Sequence, residues 1–75
     1  MRAIHEVASD IRREWLNVHY TARPYLDAMF CLCDKHSKYG LDSASDIVLR
    51  FIGNATSFRG ERARELKAEL KQIIK

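Results

Sequence analysis

The chain has 75 residues, 47% of them apolar and 31% charged, with 13 lysines and arginines against 10 acids. That length makes one small domain, 1–75, and the apolar share excludes a disordered chain. No apolar run approaches the ~18–20 residues of a membrane span, Met1–Asp10 has no apolar signal core, and two cysteines are too few for a disulfide framework, so the expectation is a reduced, cytoplasmic protein with no membrane partner.

The first predicted helix covers about 3–18. Ile4, Val7, Ala8, Ile11, Trp15 and Val18 fall on one stripe of a 3.6-residue period. Arg2, Glu6, Asp10, Arg13 and Glu14 lie mainly outside it, with Asp10 and Arg13 as an opposite-charge pair one turn apart. Trp15 is the largest apolar surface on the stripe and is expected in the core, with its N–H needing a partner.

Asn17–Arg23 ends that helix, and Pro24 opens a second over about 24–36, because proline fits a first helical turn. Thr21 is the nearby cap candidate, with Arg23 as the alternative without a cap side chain. Tyr25, Leu26, Met29, Leu32, Cys33 and His36 share a face, and Phe30 widens it. A connection follows at Ser37–Leu41, where Gly40 reads as a left-handed residue closing a helix end or turn.

The third helix, about 43–54, has the clearest pattern in the chain. Ala44, Ile47, Val48, Phe51, Ile52 and Ala55 make a continuous stripe that other helices must cover. Asp42 or Ser43 caps it, with Asp46 three residues after Ser43 as in a capping box, and Leu41 folding back on Ile47. Gly53 and Asn54, both weak helix formers, stop it.

The fourth helix, about 58–74 and capped by Thr56 or Ser57, divides into three sectors. Ala63, Leu66, Leu70, Ile73 and Ile74 are apolar. Glu61, Glu65 and Glu69 form an acidic line, and Arg64, Lys67, Lys71 and Lys75 a basic one. Residues 56–75 hold six basic and three acidic side chains, while 1–20 and 21–55 each balance, so the whole net charge of +3 comes from the last segment. That asymmetry points outward, at a partner.

Clusters that carry chemistry are sparse. Cys31-x-Cys33-x-x-His36 has the residue types of a zinc site, but on a helix Cys31 turns away from the other two. A thiol with one of three histidines has no spacing that favours a nucleophile and base, and there is no phosphate-binding glycine loop. The expectation is no enzyme, no catalytic residue, no metal and no cofactor.

Two binding readings remain. A protein-binding module, with self-pairing as one form, would use two or three exposed aromatics from among Tyr20, Tyr25, Phe30, Tyr39 and Phe58, with Tyr20, Phe30 and Tyr39 preferred, together with arginines. A nucleic-acid-binding protein would use Arg59, Arg62, Arg64, Lys67, Lys71 and Lys75 on phosphates, although the fourth helix lacks the Asn, Gln and Ser residues that often read base edges.

Pro24–Met29 (PYLDAM), Tyr39–Phe51 (YGLDSASDIVLRF) and Asn54–Lys71 (NATSFRGERARELKAELK), about half of the chain, resemble small open reading frames of phages, prophages and plasmids. The resemblance brings no catalytic residue or defined activity. It implies a mobile-element protein that binds and adapts or inhibits a larger host or phage protein, including host-defence complexes. The fold expected from the residues is an all-α bundle of four short helices, about 60–75% helical, acting by binding another protein.

Overall fold

The computed structural model describes residues 2–75. Four helices form: α1 Ile4–Glu14, α2 Arg23–Met29, α3 Ala44–Gly53 and α4 Glu61–Ile73. A two-stranded antiparallel hairpin, β1 Lys38–Tyr39 and β2 Asp42–Ser43, joins α2 to α3. The chain is therefore mostly helical, at 55%, but is not the strictly all-α bundle that the periodicity predicts. α1 packs chiefly on α4 and α2 on α3. The shortest dimension, 17 Å, is two helix layers deep.

The core is the sum of the predicted stripes. Ile4, Val7, Ala8 and Ile11 of α1 meet Ala44, Ile47, Val48 and Phe51 of α3, Leu26 and Met29 of α2, and Ala63, Leu66, Leu70 and Ile73 of α4. Trp15 lies inside, stacked on Phe58 at 5.1 Å and edge-on to Phe51 at 6.2 Å. These offset and perpendicular ring contacts add to simple area burial.

Each helix is shorter than its stripe, for identifiable reasons. α1 ends at Glu14 and not at 18, because Trp15 leaves helical geometry (φ −108°, ψ 87°) to seat its ring between Phe51 and Phe58. α2 ends at Met29 and not at 36. Past it the N–H groups of Phe30, Cys31 and Leu32 bond three residues back, to Asp27, Ala28 and Met29. That tighter turn swings the carbonyls of Leu32 and Cys33 onto the N–H groups of His5 (3.0 Å) and Ile4 (2.8 Å). Two N–H groups at the start of α1, which have no partner inside the helix, are thus satisfied by a distant segment. Glu6 completes the end by accepting from the Ala3 N–H at 2.9 Å.

The next turn is held by Ser37, whose Oγ accepts from the N–H groups of Cys33 and Asp34, and by Asp34, whose Oδ1 accepts from the His36 N–H. The hairpin reverses at Gly40-Leu41. Gly40 has φ +63° and Leu41 a negative φ, as in a type II′ turn with glycine first. Gly40 is left-handed as expected, but it turns a hairpin, and Leu41 at its tip is fully exposed instead of folding back on Ile47.

Ser43 caps α3, its Oγ accepting from the Asp46 N–H at 3.2 Å. Asn54 closes the other end, with both its backbone N–H and its Nδ2 on the Arg50 carbonyl. α4 begins at Glu61 and not at 58, because Phe58 is drawn into the core against Trp15. Its N-cap is Gly60, and neither Thr56 nor Ser57 caps it.

Gly60 sits at φ 108°, ψ 175°, a region open essentially to glycine. Gly53 is the last residue of α3, and a Cβ there would meet nothing within 4 Å. Gly60→Ala is expected to cost about 1–3 kcal/mol, and Gly53→Ala to add about 0.5–1 kcal/mol. Urea unfolding of the two variants beside the parent chain measures both signs.

Candidate functional site

The surface is set by which charges the fold uses internally. Asp10 is the one buried charged residue among the described residues, at 7% exposure. Arg2 Nη1 donates to its Oδ2 at 2.6 Å, Arg62 Nη2 donates to the same oxygen at 3.1 Å, and Arg13 donates to Oδ1. Arg2 also grips Glu69 with two bonds, Nε to Oε2 at 2.8 Å and Nη2 to Oε1 at 2.7 Å. Such bidentate, charge-assisted pairs are the stronger kind. Arg62 reaches Glu65 as well, at 3.5 Å.

The hydrogen bond from Arg2, ahead of the opposing cost of burial, holds the Asp10 carboxyl below the usual aspartate range. Arg2 does the same to Glu69. The same contacts keep the Arg2 guanidinium charged.

The basic line of α4 is consequently divided. Arg62 belongs to the Asp10 cluster. Lys67 is half-buried and is a strut: its Nζ donates to the carbonyls of Ala55 (2.7 Å) and Phe58 (2.8 Å) and lies 5.7 Å from the Phe58 ring centre. Burial, reinforced by the charges of Lys71 and Arg59, pushes its ammonium below the usual lysine value. Arg59 spends its Nε on the Thr56 carbonyl at 3.2 Å. Arg64 and Lys71 make no side-chain hydrogen bond or ion pair among the described residues and are exposed. Lys75, at the far end of α4, instead lines a groove with Lys35, whose Nζ donates to the Lys75 carbonyl. The six cations proposed for one polyanion therefore do not form one continuous face.

What the fold does bring together is a concavity of about 340 Å³ at the corner between α3 and α4, lined by Thr56, Phe58, Arg59, Gly60, Arg64 and Lys67. It has three cations in its wall and no acid. A larger open groove of about 750 Å³ runs between the start of α1, the turn at 33–36 and the end of α4. Cys33 and His36 line it. Both cysteines are exposed free thiols, and they sit in the turn after α2 instead of on the longer helix expected over 24–36. Among the described residues no group of three or more metal-ligating side chains converges.

Of the five candidate aromatics, Tyr20 is 80% exposed, Tyr39 47% and Phe30 38%, whereas Phe58 is buried against Trp15 and Tyr25 packs partly buried against the core. Tyr20 stacks on His19, whose Nδ1 accepts from the Thr21 N–H, so Thr21 braces the loop and does not cap α2. The structure adds Leu16, Leu41 and Leu49 to the exposed apolar set. Leu49 could have been found in the sequence, since it falls off the stripe of α3. Leu16 could be found in the same way, since it falls off the stripe of α1, whereas Leu41 could not, because it depends on where the hairpin turns. No helix among the described residues is long and apolar enough to cross a membrane. No protein-family model matches the chain, and neither a curated protein nor a solved structure matches it.

Asp10 and Glu69 have folded-state pKa values below their unfolded values. Below about pH 4 the unfolded chain binds more protons than the folded one, so stability falls as pH falls, whereas above about pH 5 their contribution is complete. Asp10→Asn is expected to cost about 1–3 kcal/mol at pH 7, roughly 4–8 °C in Tm per kcal/mol, and to flatten the acid limb. Thermal melts between pH 3 and 7 check both effects.

Proposed function

We propose that this chain is a small non-enzymatic protein-binding module, encoded by a mobile element, that adapts or inhibits a larger protein. The observation that carries the reading is the hairpin tip. Tyr39 and Leu41 stand out in solvent on a two-stranded ribbon whose strands pair with each other alone, and Leu41 is fully exposed. Burying such a leucine in a partner is worth about 1.5–3 kcal/mol, and an aromatic beside it is a typical interface anchor.

Two further placements support the reading. Leu16 and Tyr20 project from the α1–α2 connection, giving a second apolar outcrop. The histidines and thiols are all on the surface, on open grooves and loops that water reaches, which is a poor setting for a nucleophile and base. The resemblance of three segments to phage, prophage and plasmid reading frames supplies the mobile-element part and the expectation of a host or phage protein as target.

The experiment is an affinity capture from host lysate with the parent chain and a Tyr39→Ser/Leu41→Asp variant, alongside size-exclusion with light scattering. The variant is expected to keep its stability within about 0.5 kcal/mol, as exposed substitutions do, and to lose the captured protein or the self-paired form. Equal capture and equal mass for both chains would contradict the reading.

A further inference from the structure

We infer that the corner between α3 and α4 is a docking site for an acidic segment of a partner protein, held by Arg59, Arg64 and Lys71 around the charged floor of Lys67. The inference rests on the reading of the chain as a protein-binding module and says which of its surfaces takes what.

At this corner like charges are held close without compensation. Arg59, Arg64 and Lys67 line one concavity of about 340 Å³ with Thr56, Phe58 and Gly60, and no carboxylate lines it. Lys71 stands one turn beyond Lys67, near enough for its charge, with that of Arg59, to depress the Lys67 ammonium. Three arginines elsewhere are answered by acids: Arg2 by Asp10 and Glu69, Arg13 by Asp10, and Arg62 by Asp10 and Glu65. Arg12 and Arg23, which have no ion pair among the described residues, line a concavity that also holds Asp27, whereas this corner gathers three cations with no carboxylate in its wall.

The floor is fixed. Lys67 is tethered by the Ala55 and Phe58 carbonyls, and Arg59 by the Thr56 carbonyl through Nε, and the two terminal nitrogens of Arg59 have no hydrogen-bond partner among the described residues. Cations already held in place lose less side-chain entropy on meeting an anion. Arg64 and Lys71 supply the adaptable rim.

Spacing and neighbours select the partner. Residues four apart on α4 are about 6 Å apart along the axis. Alternate residues of an extended peptide lie about 7 Å apart on one face, so two acidic side chains separated by one residue match Lys67 and Lys71. A nucleic-acid duplex presents phosphates continuously, about 3.4 Å apart along each strand. Lying along α4, it would also meet the exposed Glu61 and Glu65, whose charges repel it. A short acidic peptide avoids them.

The test is a ¹⁵N–¹H titration at about 50 mM salt, with an acetylated and amidated hexaglutamate peptide, the matching hexaglutamine peptide, and a 12-base-pair DNA duplex as probes. Hexaglutamate is expected to shift amides within residues 58–71, with affinity falling as salt is raised. Hexaglutamine should shift nothing, and the duplex should bind more weakly than hexaglutamate. Arg64→Glu/Lys71→Glu touches no packed side chain and is expected to cut hexaglutamate affinity at least tenfold with an unchanged melting curve. No shift in this segment, equal binding by the double variant, or tighter binding of the duplex overturns the site. Partner capture through the hairpin tip with no response to hexaglutamate removes this site and keeps the module. Hexaglutamate binding by a chain that captures no protein removes the module and, with it, the partner assigned here.

Discussion

A single carboxylate decides how this surface is charged. Asp10 is buried on α1 with Arg2, Arg13 and Arg62 around it, and Arg2 continues the chain of contacts to Glu69 on α4. A buried carboxylate without partners would be costly, and three guanidinium groups on two oxygens satisfy it fully. The arrangement fastens the N-terminal segment and α1 to α4 from outside the apolar core. It also neutralises part of the positive charge that α4 brings. Without Asp10, Arg62 would join the free cations and α4 would present a broader basic surface.

Inside, the equivalent constraint is aromatic. Trp15, Phe51 and Phe58 come from the end of α1, the middle of α3 and the loop before α4, and their contact fixes where α1 stops and where α4 starts. The loop carrying Phe58 is then held by Lys67, which bonds to its carbonyls while its charge lies near the Phe58 ring. Core and surface are coupled at this corner: the residue that pins the loop also charges the floor of the concavity.

The four helices, most of their buried faces, the left-handed Gly40 and the Asn54 stop were legible in the sequence, as was a cap at Asp42 or Ser43, because each depends on residues within one or two turns. The opposite-charge pair of Asp10 with Arg13 was legible for the same reason. What was not legible depends on distant partners. The Leu32 and Cys33 carbonyls leave α2 to satisfy the start of α1, and a 3.6-residue period continuing to His36 cannot reveal that. Four strand residues are too few to show alternation. The bonds from Arg62 to Asp10 and from Lys67 to Ala55 cross 52 and 12 residues, so a helical wheel puts both cations in solvent when one is paired and the other is a strut. Arg64 and Lys71, with no such commitments, remain where the wheel puts them, whereas Arg59 lies ahead of α4 with its Nε on the Thr56 carbonyl.

The surface that remains includes apolar outcrops at the hairpin tip and on the α1–α2 connection, and a compact cationic corner at the far end of α3. The separation of the cationic corner from the rest of α4 presupposes that Asp10 holds Arg62 within the fold. A double-mutant cycle tests this directly, with Asp10→Asn, Arg62→Gln and the double variant compared by urea unfolding at pH 7. A favourable coupling of at least about 0.5 kcal/mol between the two positions is expected if Asp10 holds Arg62, whereas additivity within about 0.3 kcal/mol would show that it does not.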